Sequence, residues 1–337
     1  MGKFSKSYDW SGDMAKENSS LEHSFSEMDA ASKEAAVNAM QAYLEILAFS
    51  SEIYEKSKKG QFIYSREIWD RIVRLVDISM LNEGVFLSLI AEDPKPHDYR
   101  PQHHVNVALL CIEVGMELGF NKSRLCELAV GAFLHDIGIS KIAGIDENTR
   151  KLTDAETREM NKHPSYGVEI LSKSADVGDY VIYIAKEHHE KLDGTGYPGK
   201  IKSGAISEYS QIVGIVDIYE AITHWRPYRQ NKLSSHEALK HIMGIGANRL
   251  EPRYVEALVN VIGLYPINSW VELNTREVGV VLDINRKYPL RPIVNIIYDA
   301  HGVQLAKSRV IDISKQPVTY IKKVLNEEDL KKYLSHK

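Results

Sequence analysis

The stretch that decides the fold is LCELAVGAFLHDIGI, residues 125–139, an apolar run that leads into His135 and Asp136. Its apolar residues recur at the spacing of a helix that is buried in a core. A carboxylate at the end of such a helix is costly to bury unless it is paired or binds a cation. The stretch therefore predicts a helical core that delivers an adjacent histidine and aspartate to a metal ion.

The helical period continues on both sides of this stretch, from His103 to about Leu264. Within it, the string LTDAET has the form of a capping box, with Thr153 as N-cap and Glu156 three residues on. We expect the helix that starts there to carry His163. The predicted fold class is therefore mainly α, with a helical bundle at its centre.

The N-terminal part of the chain divides into a tail and a pair of helices. Residues 1–30 are polar and serine-rich, which is typical of a mobile tail. Residues 31–93 contain two runs with helical spacing, 31–58 and 65–91, separated by Gly60. This pattern predicts an N-terminal helical hairpin.

Two changes of pattern mark the limits of the bundle. The prolines resist helix and place a domain boundary near Asp93, so the helical domain spans residues 94–265; they are Pro94, Pro96 and Pro101. Residues 266–337 form a third unit, in which apolar and polar residues alternate from about Trp270 to Ser314. We expect a small β-rich C-terminal extension that ends in a short helix.

Composition excludes several classes of protein. A formal net charge of −4 and a pI near 6.4 give no general attraction for a DNA or RNA polymer. The two cysteines, Cys111 and Cys126, form neither a disulfide framework nor a CxxC metal site. No uncharged apolar stretch of about 18 residues occurs, and the N-terminus lacks the apolar core of a signal peptide. The sequence therefore predicts a cytoplasmic protein without a membrane partner.

The chemistry of the chain is carried by a set of histidines and aspartates, each in a helical context. A single histidine among the 13 in this chain is more often a surface or core residue than a ligand, but adjacent pairs change that expectation. Imidazole and carboxylate ligands suit Fe, Mn, Zn, Co or Ni, and the absence of thiolate ligands argues against a structural zinc site. The candidates are His103, His135, Asp136, His163, His188, His189 and Asp217.

Seven ligands are too many for one ion and fit two ions that share a bridging aspartate. Two metals roughly 3.5–4 Å apart lower the pKa of a bridging water and hold both the attacking and the leaving oxygen of a phosphodiester. The set therefore predicts a binuclear hydrolase that needs no serine or cysteine nucleophile.

Two further segments adjoin the candidate ligands. After His189, the string EKLDGTGYPG contains glycines that permit close approach of a ligand, although DG-x-G is also an ordinary turn. After Asp217, Arg226 and Arg229 are three residues apart and share a helical face if the helix continues through Pro227. They could bind phosphate or a guanine edge, or form a solvated cationic turn.

Taken together, these strings resemble the successive motifs of HD-GYP domains over about residues 94–265. The matching strings are HHVNVALL, FLHDIGIS, MNKHPSYGVEIL, HHEKLDGTGYP and VDIYEAITHWRPYR. The resemblance implies an HD-type helical bundle with two divalent or trivalent metal ions per chain, Fe or Mn. It also implies cleavage of cyclic di-GMP to pGpG or GMP, with a metal-bridging hydroxide as nucleophile.

The resemblance also assigns a role to each candidate. It implies one ion bound by His103, His135, Asp136 and Asp217, and a second bound by His163, His188 and His189, with Asp136 as the bridge. His135 and Asp136 would be the catalytic pair. The substrate-binding residues would be Gly194, Thr195, Gly196, Tyr197, Pro198, Arg226 and Arg229.

The sequence departs from the family pattern at four positions. The lysine three residues after the aspartate of the HD pair is Ile139, and Lys141 would point about 200° away on a helix. An arginine and a later aspartate are replaced by Gln211 and Glu220. A glutamate that binds a third metal ion in some members is Tyr99 here, which is a poor ligand. Asp98 would point about 100° away on a helix, although Pro101 makes regular helix there doubtful, and two ions are expected.

These departures keep two alternatives open. Loss of the lysine at Ile139 would suit an inactive member that binds a cyclic dinucleotide or docks a partner without turnover. The motifs do not fix the bases of the substrate either, so another nucleotide such as cyclic GMP-AMP remains an alternative. The N-terminal helices are the expected place for a homodimer contact or a signalling partner.

Overall fold

The structure is a computed structural model of the 337-residue chain. It describes residues 30–61, 63, 65–91, 99–144, 149–174, 176–227, 232–285, 287–326 and 329–330. The predicted tail, residues 1–30, lies outside the described residues except for the backbone of Ala30, and the predicted boundary near Asp93 lies outside them too.

The described helices confirm the mainly α fold. They are α1 Ala30–Lys58, α2 Ser65–Leu81, α3 Leu87–Ile90, α4 Tyr99–Glu117, α5 Lys122–Leu134, α6 Asp154–Met160, α7 His163–Leu171, α8 Asp179–Glu187, α9 Glu208–Thr223, α10 Ser235–Ile245 and α11 Pro252–Ile262. A short 3₁₀ helix, Ile137–Lys141, follows α5.

The N-terminal hairpin is present, with Gly60 at φ +66° after α1. The second predicted run is shorter than expected, because α2 ends at Leu81 and a turn intervenes before α3. Gly84 in that turn has φ +78°, a conformation that a helix cannot include.

The centre of the bundle is formed by α4 and α5. Leu109, Leu110 and Ile112 of α4 pack with Leu125 and Leu128 of α5, and all five are fully buried. Burial of each such side chain stabilises the fold by about 1.5–3 kcal/mol. The helix that carries His103 and the helix that leads into His135 and Asp136 are therefore joined by a fully buried apolar contact.

Helix α1 packs across this centre. Its Phe49 ring stacks on Phe133 of α5, with ring centroids 6.4 Å apart. Near its C-terminal end, Ser57 Oγ lies 2.7 Å from Ser140 Oγ in the 3₁₀ helix. The N-terminal hairpin thus contacts the segment that directly follows the HD pair.

Two local expectations about helix starts are corrected or refined. The capping box of Thr153 and Glu156 is confirmed, but α6 ends at Met160, so it does not carry His163. His163 is instead the first residue of α7, where Pro164 is accommodated in the first turn. Pro101 is accommodated likewise in the first turn of α4, so Tyr99 is helical although the proline made that doubtful.

The C-terminal unit is an antiparallel sheet, as the alternation predicted. Its strands are β1 Trp270–Leu273, β2 Val278–Asp283, β3 Ile293–Tyr298, β4 Gln304–Asp312 and β5 Ile321–Leu325, in the order β4-β3-β2-β1-β5. Strand β5 lies beyond Ser314, where only a helix was expected, and pairs with β1. The predicted terminal helix falls largely on residues outside those described. None of the described helices is long and apolar enough to span a bilayer.

Candidate metal centre

Five helices bring the seven candidate ligands to one place, which we call the His/Asp cluster. Helix α4 supplies His103 from its interior, and α5 presents His135 and Asp136 at its C-terminal end. Helix α7 starts at His163, α8 ends just before His188 and His189, and α9 carries Asp217. The structure thus brings together all seven residues that the sequence singled out.

Asp136 lies between two groups of histidines. Its Oδ1 atom is 3.0 Å from His163 Nε2 and 3.5 Å from His188 Nε2. Its Oδ2 atom is 3.6 Å from His103 Nε2 and 3.7 Å from His135 Nε2. The two carboxylate oxygens therefore face different sets of imidazoles, which is the geometry that a bridging carboxylate requires.

Asp217 closes the cluster from α9. Its Oδ1 atom is 3.3 Å from His103 Nε2 and 3.9 Å from His135 Nε2, and its Oδ2 atom is 3.9 Å from His189 Nδ1. Two groups of side chains place all their potential ligand atoms within 4.8 Å of one another. They are Asp136 with His163, His188 and His189, and Asp136 with His103 and His135.

Three imidazoles turn Nδ1 towards backbone carbonyls and Nε2, which we call the inner nitrogen, towards the cluster. The Nδ1 atoms of His135, His163 and His188 lie 2.6, 2.7 and 3.0 Å from the carbonyl oxygens of Ala132, Met160 and Ile184. A carbonyl only accepts, so each Nδ1 carries a proton, and in the neutral form of each ring the Nε2 lone pair points into the cluster. This is the arrangement that metal-binding histidines adopt.

The inner atoms have no satisfactory partners within the described chain. His103 Nε2, His135 Nε2 and Asp136 Oδ1 are buried without a hydrogen bond. His163 Nε2 and His188 Nε2 are 3.2 Å apart, although both are acceptors by the tautomers above. Buried acceptors that face one another are unfavourable, and a cation between them resolves the conflict. The residues therefore fit a metal site.

The two aspartates remain ionised in spite of their burial. Burial is the largest influence and acts to raise the pKa of Asp136, but the neighbouring imidazoles of His135 and His163, when protonated, outweigh it and hold that pKa well below its usual value. For Asp217, burial likewise acts to raise the pKa, and the interaction with the nearby imidazoles of His103 and His135 brings it well below its usual value. Both side chains thus offer negative charge to a cation.

Glu220 contacts the cluster, although the sequence marked it only as a departure from the family pattern. It lies three residues after Asp217 on α9, and Oε2 accepts a hydrogen bond from His103 Nδ1. This bond fixes the tautomer of His103, as the carbonyls do for the other histidines. The signal available in the sequence was the spacing of three, which places Glu220 on the helix face of Asp217.

The structure also separates His103 from its neighbour His104. Both are 2% exposed, but His104 packs its ring against Tyr54 and Phe133, with centroids 5.9 and 6.5 Å away. Only His103 contributes an inner nitrogen to the His/Asp cluster.

The glycine-rich loop borders the cluster through Tyr197. The Tyr197 ring stacks on His189 with a centroid distance of 4.6 Å and an interplanar angle of 28°. Burial, and next the charges of Asp136 and Asp217, raise the pKa of this phenol far above its ordinary value, so it stays neutral. The peptide bond between Tyr197 and Pro198 is cis, and Pro198 lies on the exposed rim.

The remaining residues of the loop hold its shape. A Cβ atom on Gly196 would lie 2.4 Å from Glu190 Cα and 2.6 Å from His189 O, so only glycine fits. Gly194 has φ +79°, and Thr195 Oγ1 donates to Asp193 Oδ1 at 2.6 Å. These contacts make Gly194 and Thr195 parts of the turn that carries Tyr197 to the cluster.

Arg226 reaches the cluster by a different route from the one predicted. Helix α9 ends at Thr223 and His224 is extended, so Arg226 does not lie on a helical face. Its side chain is buried, and Nη2 donates to Glu220 Oε2 at 3.4 Å, next to His103 Nδ1 at 3.1 Å. Arg229 lies outside the described residues.

The other departures from the family pattern have defined places. Ile139 is 3% exposed within the 3₁₀ helix after Asp136. Lys141 pairs with Glu169 of α7 at 2.6 Å. Gln211 Nε2 donates to Ile206 O at 3.0 Å. Tyr99 lies one turn before His103, and Asp98 is outside the described residues.

Comparison with known families finds matches over both parts of the chain. The profile of the HD domain matches residues 85–253. That of the KOW domain associated with HD domain matches residues 270–333.

Two curated proteins are similar over most of the chain. Cyclic di-GMP phosphodiesterase PdeB of Borreliella burgdorferi is 28% identical over 87% of this chain and 77% of the relative. Cyclic di-GMP phosphodiesterase PA4108 of Pseudomonas aeruginosa is 27% identical over 78% of this chain, which spans 63% of that relative.

A solved structure has the same fold. Bd1817, described as an HDG"Y"P protein from Bdellovibrio bacteriovorus, aligns with a TM-score of 0.57 at 18% identity. The alignment covers 72% of this chain and 76% of that one, and it supports the fold alone.

Proposed function

We propose that this chain, which belongs to the HD domain family, is a metal-dependent phosphodiesterase of the HD-GYP type. The substrate class is a cyclic dinucleotide, and cyclic di-GMP is the member we favour, because both similar curated proteins bear that name. Hydrolysis of one phosphodiester would open the ring to linear pGpG, and hydrolysis of the second would give two molecules of GMP.

The observation that carries this proposal is that the two carboxylate oxygens of Asp136 face different groups of histidines. Its two oxygens meet two separate groups of histidines at 3.0–3.7 Å, and the inner atoms of those groups are otherwise unpartnered among the described residues. This supports two ions per chain, held by the ligands assigned above. The oxygen and nitrogen ligands suit Fe or Mn. Metal ions bound there would activate water and neutralise the charge of the phosphodiester.

The chain's own residues define how a substrate meets that centre. Asp136 and Asp217 supply the negative charge, and the outward Nδ1 bonds hold each imidazole in place. The Tyr197 ring stacks on His189 at the edge of the cluster. Because Gly196 has no side chain, the loop can pack against the backbone of His189 and Glu190. Glu220 binds the guanidinium of Arg226, whose contact with a substrate phosphate remains a prediction. Arg229 remains a predicted contact.

A second function is favoured by one observation, the buried Ile139 in place of the family lysine. Without that cation, the protein would bind a cyclic dinucleotide and signal through a partner without turnover. Two buried, unpaired cysteines suit a reducing cytoplasm for either function. A homodimer or a signalling partner would use the N-terminal helices.

One experiment separates these functions. Protein purified without oxygen is analysed for metal content and assayed by chromatography with cyclic di-GMP, cyclic GMP-AMP and cyclic di-AMP. We expect about two equivalents of metal and conversion of cyclic di-GMP to pGpG or GMP. Tight binding without product would support the second function. Metal-free protein without affinity for added Mn²⁺ would contradict both.

A further inference from the structure

A chain of buried hydrogen bonds connects the N-terminal helix α1 to the metal ligand His103. The Tyr43 hydroxyl donates to Asn106 Oδ1 at 3.0 Å, and Asn106 Nδ2 donates to Glu220 Oε1 at 3.3 Å. The other oxygen of Glu220 accepts the bond from His103 Nδ1. All four side chains are at most 6% exposed, so water does not replace these bonds.

The chemistry of the four groups orders the chain in one direction. The Glu220 carboxylate only accepts, so it must face the amide nitrogen of Asn106 and the protonated Nδ1 of His103. The amide oxygen of Asn106 then points towards α1, where the Tyr43 hydroxyl supplies a proton. Reversing the amide would set its oxygen against a buried carboxylate. The hydroxyl of Tyr43 therefore locks the amide, and the amide orients the carboxylate.

We propose that Tyr43 is a positioning residue of the metal centre, through which the N-terminal helix sets the orientation of His103. The proposal rests on the proposed function only in taking His103 as a metal ligand. It gives α1 a regulatory role: a partner or signal that shifts α1 would release Asn106, loosen Glu220 and weaken metal binding. The cluster would thus be complete only while α1 is docked.

A second contact makes α1 suitable for this role. Ser140 Oγ donates to Ile137 O at 2.7 Å, so in the pair with Ser57 it is the Ser57 hydroxyl that donates. Ser57 and Tyr43 lie on the same helix, and they contact the segment after Asp136 and the helix of His103 respectively. A movement of α1 would reach both halves of the cluster.

The test removes one oxygen atom from α1. Tyr43→Phe keeps the ring and deletes only the hydroxyl, and Tyr254→Phe is a matched control. Tyr254 is also buried on a helix, and its hydroxyl donates to Glu208 at 3.3 Å, away from the cluster. The dissociation constant for Mn²⁺ and the visible spectrum of the Co²⁺ form are measured on both folded variants and on the wild type.

We expect Tyr43→Phe to weaken Mn²⁺ binding about two- to tenfold, the range that corresponds to one neutral hydrogen bond. Glu220→Gln, which acts directly on the ligand, should weaken it about 10- to 100-fold. The Co²⁺ spectrum should change in both variants and stay unchanged in Tyr254→Phe, although Tyr254→Phe should lose similar thermal stability. A purely structural role for Tyr43 would lower stability without moving the spectrum.

A double variant checks that the effect travels through Asn106. In an Asn106→Leu background, Tyr43→Phe should produce no further change in Mn²⁺ affinity. An additional loss there, or a Tyr43→Phe protein with the affinity and spectrum of the wild type, would overturn the proposal. Either result leaves the proposed function intact if the wild type binds metal and hydrolyses substrate. If His103→Ala binds metal as the wild type does, the metal site itself is wrong.

Discussion

Replacing Asp136 with asparagine should change metal binding and metal-free stability in opposite directions. The carboxylate is 5% exposed and is the one group shared by both sets of ligands. Removing one partner of a buried ionic pair costs about 3–5 kcal/mol. At 1.36 kcal/mol for each factor of ten, metal affinity should fall roughly 150- to 5,000-fold. Hydrolysis should be lost at any metal concentration that does not restore occupancy.

The metal-free protein should respond in the opposite way. At a pH where the imidazoles are neutral, Asp136 Oδ1 is buried without a hydrogen bond and lies 3.0 Å from His163 Nε2, which is then an acceptor. In Asp136→Asn, an amide NH₂ can take that place and donate to the imidazole. Relief of an unsatisfied buried group is worth about 1–3 kcal/mol, so the metal-free variant should unfold at a higher temperature than the metal-free wild type.

The assay combines Mn²⁺ titration of chelator-treated protein with calorimetry of the same samples. Glu113→Gln is the matched control, since Glu113 is a fully buried carboxylate on α4 that accepts from Gly84 N rather than from the cluster. It should leave Mn²⁺ affinity unchanged. An Asp136→Asn protein that binds Mn²⁺ as tightly as the wild type would contradict this prediction. So would a metal-free Asp136→Asn protein that is less stable than the metal-free wild type.

Three further changes test other parts of the site. Gly196→Ala should raise KM and lower kcat with metal content retained, because the new Cβ would meet backbone atoms at 2.4–2.6 Å; kinetics like those of the wild type would contradict this. Ile139→Lys should destabilise ligand-free protein, since Ile139 is 3% exposed, yet raise kcat/KM about 10- to 100-fold through a charge-assisted phosphate contact. A folded variant with lower kcat/KM would show that the pocket requires an apolar residue. For metal-free protein, the lowered pKa of Asp217 predicts that unfolding free energy falls as pH drops below the ordinary value of 3.8, and a denaturation series should show a shallower slope in Asp217→Asn.

The sequence by itself determined the features that depend on neighbours along the chain. The capping box at Thr153 and Glu156 forms because its partners are three residues apart. The alternation after Trp270 was sufficient for a sheet, since side chains of a strand alternate between its faces. The adjacent pairs His135-Asp136 and His188-His189 identified the cluster, because two ligands on one turn are delivered together.

Tertiary structure decided what depends on contacts between distant segments. Which of His103 and His104 faces the cluster was set by the packing of α4 between α1 and α9, and Glu220 became a partner of His103 across 117 residues. Strand β5 needed β1, 50 residues earlier, to supply its hydrogen bonds. The link from Tyr43 to the His/Asp cluster was equally invisible in the sequence. Local spacing encodes the elements and the ligand types, but only packing in three dimensions determines which buried polar groups meet and satisfy one another.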